Sequence, residues 1–351
     1  MKKNIFLWVA VFAVGAMSSC SVDKVVDQAE ARYIGFDPFA NKVTRRLDNV
    51  QFGHDNFSVF GQYGTGTPTS VFTNQEVEWM TDSWDYTPLK AWVTGQTYHF
   101  AAIAPYDASY VAGTNAAGTN YNYDYGSKKY TLGEITVDNN NQTDYMTATP
   151  QDNVSSGASS VSFDFNHILS KIDFIFKPRT TSEDETHWKI PVRIEITKIA
   201  LADVPTKNTY TADAWGALDT PGTNKVTFTK GDGSSTLVTT SYAGSGDPTT
   251  TGNTFDWLVV PHGTTSNEIT KTLTITCNVF DNATSGGTLL KGNATASVGI
   301  KTSWAKNTYY TYTVSIGADI LGENPYITFD VNSADWENTE TIDNVDVTPQ
   351  P

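Results

Sequence analysis

The chain has 351 residues and a formal net charge of −15, with 17% charged and 12% aromatic side chains. Charged residues fall below the roughly 25% usual for soluble domains, and Thr, Asn, Ser and Gly fill the polar positions, the profile of an extracellular β protein. No basic stripe is available to neutralise phosphates, which argues against a nucleic-acid partner, and the length allows two domains of ordinary size or one large β domain.

Lys2 and Lys3 precede an uncharged apolar run, Ile5 to Met17, too short to span a bilayer as a helix but suited to a secretory signal. The run ends in Met17-Ser18-Ser19-Cys20, small residues directly before a Cys, which resembles a bacterial lipobox. Residues 1–19 are therefore expected to be a lipoprotein signal peptide and Cys20 the acylated N-terminus, palmitate among its acyl chains. Several chains give stable attachment where one does not. Losing Lys2 and Lys3 takes the net charge from −15 to −17. Cys277 is then left without an intrachain disulfide partner, so packing must supply stability. It alternates within Thr274 to Phe280 and reads as a small buried apolar residue.

Beyond the signal, short alternating runs divided by Gly, Pro, Asn and Asp read as strands and turns, and helical periodicity is almost absent. Strands are expected at Arg32 to Phe36, Phe57 to Tyr63, Glu76 to Met80, Thr97 to Ala104, Lys129 to Val137, Tyr145 to Thr149 and Val161 to Phe165. A long run, His167 to Phe176, follows at once, with Ile172, Phe174 and Phe176 on one buried face. The polar stretch Lys177 to Thr186, with Pro178 ending the strand, marks the expected domain boundary. Further strands are expected at Val192 to Leu201, Lys225 to Thr229, Thr236 to Tyr242, Phe255 to Val260, Thr272 to Phe280, Thr295 to Ile300, Thr308 to Ile316 and Tyr326 to Val331. Many short strands at regular spacing favour sandwiches.

Catalytic signatures are sparse. No Gly-x-Ser-x-Gly elbow, His-Glu-x-x-His or Walker sequence occurs, and His54, His99, His167, His187 and His262 are scattered. His167 reads as a hydrogen-bonded structural residue. Asp138 to Asp144 clusters hard oxygen ligands, yet lacks the Gly and closing Glu of a calcium loop and reads as a solvated turn. Tyr121, Tyr123 and Tyr125 put alternate rings on one face if extended. They are the glycan-contact candidates, weighed against a hairpin packing its tyrosines on the domain.

Several blocks in order resemble the fimbrillins of Bacteroidales, the Mfa-like fimbrillin family that builds type V pili. They are the lipobox, Tyr33-Ile34-Gly35-Phe36 with Thr44-Arg45, Trp84 to Trp92 running into Tyr98 to Tyr106, Phe165 to Lys171, Trp304 to Tyr312, and Ile327 to Val331 with Trp336. The resemblance implies an all-β chain of two transthyretin-like β-sandwich domains in tandem: a lipidated propeptide at 20–46, an N-terminal sandwich at 47–180 and a C-terminal sandwich at 181–351. It further implies a structural, non-enzymatic role without cofactor or metal. The precursor is exported to the outer membrane and then built into a surface fimbria, with other fimbrial subunits, a trypsin-like protease and the outer membrane as partners. By that likeness a strand carrying Ile34 and Phe36 is removed by a cut at Arg45 or Arg46; Arg32 is less suited because it starts the strand. Pro38 is expected to end that strand. A donor strand comes from Ile327 and Phe329 or from Ile342, Val345 and Val347. A fimbrial tip adhesin, or a monomeric surface lipoprotein binding glycan, is the alternative.

Overall fold

The computed structural model describes residues 32–40, 56–108, 121–180, 184, 186–216, 224–252, 255–262, 269–322 and 327–335. The described residues from Tyr33 onward belong to one compact unit. The first part of the chain supplies β1 (Phe36–Ala40), β2 (Asn56–Tyr63), β3 (Thr69–Met80), β4 (Ser83–Asp85), β5 (Thr97–Ala104), β6 (Asn122–Asp124), β7 (Lys129–Thr131), β8 (Gly133–Thr136), β9 (Met146–Ala148), β10 (Gln151–Ser155) and β11 (Val161–His167). Eight of these form one sheet in the order β1-β11-β9-β5-β2-β3-β4, with β10 beside β5.

The central strand β5 explains how this sheet is covered. Tyr98, Phe100, Ala102 and Ala104 face a cluster that includes Phe57, Val59, Phe72, Val77, Trp84, Phe163 and Phe165. Ala101 and Ile103, on its other face, join a second cluster with Phe60, Tyr130, Leu132 and Ile135. Both faces of β5 are therefore buried, which is why its sequence is a continuous apolar run rather than an alternation. Gly61 of β2 lies under this packing: a Cβ there would sit 2.8 Å from the Phe100 ring and 2.9 Å from Phe72. Only glycine lets the two rings close over the strand.

The second part supplies β12 (Ser170–Pro178), β13 (Val192–Pro205), β14 (Lys207–Thr211), β15 (Ala214–Trp215), β16 (Lys225–Lys230), β17 (Val238–Tyr242), β18 (Thr249–Gly252), β19 (Phe255–Val259), β20 (Ile269–Phe280), β21 (Leu289–Thr302), β22 (Thr308–Ile316) and β23 (Ile327–Asp335), with a short 3-10 turn at Ala318–Leu321. A four-stranded sheet, β19-β12-β22-β23, and a six-stranded sheet, β18-β17-β13-β20-β21 with β16 on β13, share one core. Ile172, Phe174, Phe176 and Val314 enter it from the first sheet, and Ile194, Ile196, Ile275 and Val279 from the second. Cys277 is buried there, and burial pushes its thiol up to about 12, so it packs as an inert apolar residue.

Three expectations are corrected. The N-terminal strand is not ended by Pro38 but runs through it, Phe36–Ala40, pairing in parallel with Val161 to Phe165. A proline is tolerated because β1 is an edge strand with a ladder on one side only. The run expected from His167 to Phe176 as the last strand before a boundary at residue 180 is observed as β12, Ser170–Pro178, which pairs with β19 and β22 of the second part. Strand pairing thus passes from one part to the other at Ile168 and Leu169. No strand is expected between Tyr242 and Phe255, yet β18, Thr249–Gly252, lies there, antiparallel to β17.

The two parts are joined by more than the chain. Strands β8, β14 and β15 form one sheet that takes β8 from the first part and the others from the second. The second buried cluster likewise draws Tyr210 and Val260 in beside Phe60 and Ile103. Asn139 donates from Nδ2 to the Thr227 carbonyl at 2.9 Å and accepts at Oδ1 from the Thr229 N–H at 2.9 Å. Gln142 Oε1 accepts from the Leu258 N–H at 2.7 Å, and Trp215 Nε1 donates to the Ile168 carbonyl at 2.8 Å.

Candidate functional site

The segment Tyr33 to Ala40 is held from two sides. Its first residues bond to the loop before β5: Tyr33 bridges Ala91, and the Ile34 N–H donates to the Lys90 carbonyl at 2.9 Å. Its last residues lie on β11, where the Val161 N–H donates to the Gly35 carbonyl at 2.8 Å and the β1 register begins. Tyr86 ties the bend between them. Its hydroxyl donates to the Ile34 carbonyl at 2.9 Å and accepts from the Lys90 N–H at 3.2 Å. Burial of that hydroxyl pushes the phenol pKa up.

Side chains provide the depth. Ile34 and Phe36 are 1% and 3% exposed. The Phe36 ring lies 5.4 Å from Phe72, 5.5 Å from Tyr86, 6.0 Å from Phe100 and 5.7 Å from Phe163, stacked on the last at 19°. It plugs a socket built by β3, the β4–β5 loop, β5 and β11. Edge-to-face and offset pairs of this kind add about 0.5–1.5 kcal/mol each beyond area burial. Removing the segment would leave an aromatic socket and unpaired backbone groups on both flanks, the conditions for capturing another strand. The socket residues Phe72, Tyr86, Lys90, Phe100 and Phe163 are not singled out by the sequence reading. Tyr86, Lys90 and Phe100 nevertheless fall in the blocks Trp84 to Trp92 and Tyr98 to Tyr106.

At the other end, Ile327 and Phe329 lie on β23, which pairs antiparallel with β22 over nine residues, Ile327 opposite Ile316 and Phe329 opposite Val314. As an edge strand β23 completes its own sheet. Cys20, Arg45, Arg46, Ile342, Val345 and Val347 lie outside the described residues. Arg32 is exposed.

The tyrosine ladder is corrected. Tyr121 and Tyr123 are 1% and 5% exposed, and Tyr123 packs 4.8 Å from Tyr130 and 4.9 Å from the half-buried Tyr125. Their ring faces are spent on the core between the two parts and are not open to a sugar. The Asp138 to Asp144 loop is a turn with Asn139 and Asn140 exposed, as expected. Asp138 Oδ1 accepts from the N–H groups of Asn140 and Asn141, while Asn139 and Gln142 make the cross-connections above. His167 Nδ1 sits 2.7 Å from Asp144 Oδ2. Among the described residues no group of three or more His, Cys, Asp or Glu could hold a metal ion, and no helix is long and apolar enough to cross a membrane.

Fold and site together define an all-β protein whose first described strand fills an aromatic socket at the edge of its own sheet. The chain belongs to the fimbrillin-like family, whose model matches residues 44–336. It is 25% identical over 184 residues to the fimbrium subunit Fim1C of Phocaeicola vulgatus, covering 46% of this chain and 48% of that protein. The chain thus aligns with about half the length of that curated relative. A fimbrial protein from Bacteroides vulgatus ATCC 8482 shares the fold, with a TM-score of 0.58 at 19% identity over 87% of this chain and 99% of that one.

Proposed function

We propose that this chain is a structural subunit of a cell-surface fimbria that polymerises by strand exchange. It is exported as a precursor acylated at Cys20 and tethered to the outer membrane, and its two halves act as transthyretin-like sandwiches. A trypsin-like protease cuts at Arg45 or Arg46, five residues or so past the end of β1 at Ala40, and frees lipid and strand together. The vacated socket then takes a C-terminal strand of another subunit.

The observation that carries this reading is the Phe36 plug on an edge strand that no second strand flanks. Such a strand leaves without breaking any ladder but its own, and what it uncovers is apolar and rich in unpaired N–H and C=O groups. A relative that is a fimbrium subunit is consistent with the reading.

The test is controlled proteolysis of the purified precursor with a trypsin-like enzyme. The expected product starts at Arg46 or Leu47 by N-terminal sequencing and forms laddered oligomers, while Arg45→Gln/Arg46→Gln stays monomeric. Complete cleavage that leaves only monomers at high concentration overturns it. One truncation then locates the donor. Ending the chain at Asp335 abolishes polymerisation with monomer stability intact if Ile342, Val345 and Val347 form the donor, and leaves it unchanged if Ile327 and Phe329 do.

A further inference from the structure

The loop after β8 reaches the free edges of two strands in the second part. β16 pairs only with β13, and β19 ends its sheet on β12; among the described residues no strand flanks either on its other side. Both strands are suited to further pairing. β16 reads Lys225-Val226-Thr227-Phe228-Thr229-Lys230 and β19 reads Phe255-Asp256-Trp257-Leu258-Val259, rich in the β-branched and aromatic residues that favour an added strand. Val226 is 40% exposed beside the β16 edge.

Each edge meets a side-chain amide instead of a strand. On β16, Asn139 holds the Thr227 carbonyl and the Thr229 N–H, the two groups that one residue of a parallel strand would bond. On β19, Gln142 accepts from the Leu258 N–H at 2.7 Å and donates to the Leu258 carbonyl at 3.4 Å, the exchange that one residue of an antiparallel strand would make. A primary amide suits this task because it carries a donor and an acceptor side by side, as a peptide group does. A carboxylate would set oxygen against the carbonyl, and an ammonium has no acceptor. Unlike a strand, the amide leaves no second edge behind it, so the ladder stops there.

The loop holds both amides in place. The Asp138 N–H donates to the Asn141 carbonyl at 2.9 Å and the Asn141 N–H to the Asp138 carbonyl at 3.2 Å. Asn141 Nδ2 donates to the Thr136 carbonyl and Gln142 Nε2 to the Asp138 carbonyl, each at 2.8 Å. Asn139 and Gln142 thus meet open main-chain edges that belong to two different sheets. The lysines at the two ends of β16 add charge repulsion against a like strand.

We propose that Asn139 and Gln142 are edge guards, closing β16 and β19 against pairing with a strand of another copy of this chain. The device belongs to the folded monomer and does not rest on strand exchange at β1.

The experiment is sedimentation of the full chain at high salt, where the lysines of β16 are screened. The parent stays monomeric. Asn139→Ala and Gln142→Ala each associate reversibly at concentrations about tenfold or more below any at which the parent does, with thermal midpoints that show them folded. Should an alanine variant fail to fold, Asn139→Ser or Gln142→Met replaces it. Thr229→Pro removes the N–H that Asn139 holds and, on an edge strand, costs no ladder bond. Added to Asn139→Ala it restores the monomer; added to Gln142→Ala it changes nothing. Association of Asn139→Ala that Thr229→Pro does not relieve overturns the proposal, because it then comes from loosened packing between the two parts and not from an open edge. A folded variant that stays monomeric overturns it for that edge.

Discussion

The first and last strands of the described chain both lie at sheet edges, yet they are held in opposite ways. β1 has five residues in a parallel ladder, the weaker pairing geometry, and its hold comes from Phe36 and Ile34 set deep among aromatic rings. β23 has nine residues in an antiparallel ladder on β22. A strand fixed by one or two plugs can be exchanged for another with similar plugs, whereas a strand fixed along nine residues belongs to its sheet. The fold thus places the strand held mainly by its plugs at the N-terminal edge and the strand held along its ladder at the C-terminal edge.

The largest test of that contrast is Phe36→Ala. It is expected to lower precursor stability by about 3–5 kcal/mol, read by urea denaturation, and to expose the region around Arg45 to protease sooner. If stability changes by less than 1 kcal/mol, β1 is not held by its plug.

Acid separates the two parts next. His262 is buried, its ring stacked edge-on against Trp304 at 4.5 Å, and burial with nearby Lys271 lowers its pKa to about 4. Between pH 6.5 and 4 the unfolded chain takes up a proton that the folded imidazole refuses. Stability contributed by the second part therefore falls across that window by about 3 kcal/mol and is flat below it. Asp173 acts in the opposite sense. Burial raises its carboxyl pKa, so protonation favours the folded state at the acid end. His262→Gln is expected to flatten the loss seen in thermal melts between pH 6.5 and 4, and an unaltered slope would assign the acid sensitivity elsewhere.

Ile34→Val removes one methylene from the second plug and is expected to cost about 1 kcal/mol, measurable as a small drop in the denaturation midpoint. Smallest is Asn139→Ala, which removes two hydrogen bonds between the parts at an exposed site and is expected to cost about 0.5–1 kcal/mol. A loss as large as that of Phe36→Ala would mean that the junction, not the plug, limits stability.

Strands with strict alternation or continuous apolar runs were legible in sequence. Thr97–Ala104 and Thr308–Ile316 fall where expected, and Val192 and Phe280 are terminal residues of longer strands. Short strands without an apolar face of their own, such as β10 and β15, left no period to detect. The burial of Ile34 and Phe36 was legible in their alternation, but the course of β1 through Pro38 depends on which side of the strand is paired, a tertiary fact that local propensity does not carry. The tyrosines at 121, 123 and 125 left two readings open in sequence, and the packed hairpin is the one found, because alternation reports that one face differs from the other, not whether that face meets water or a neighbouring element. The hold of Asn139 and Gln142 on β16 and β19 was not legible at all, since Thr229 and Leu258 lie 90 and 116 positions further along the chain.

The shared sheet of β8, β14 and β15, with Asn139 and Gln142 bonded across, bears on how a fibre of such subunits responds to flow. Load entering one half is passed to the other through hydrogen bonds and a common apolar cluster acting in parallel, not through a single linker. If such subunits polymerise as proposed, each would act as one link, and the compliance of the fibre would be confined to the contacts between successive links.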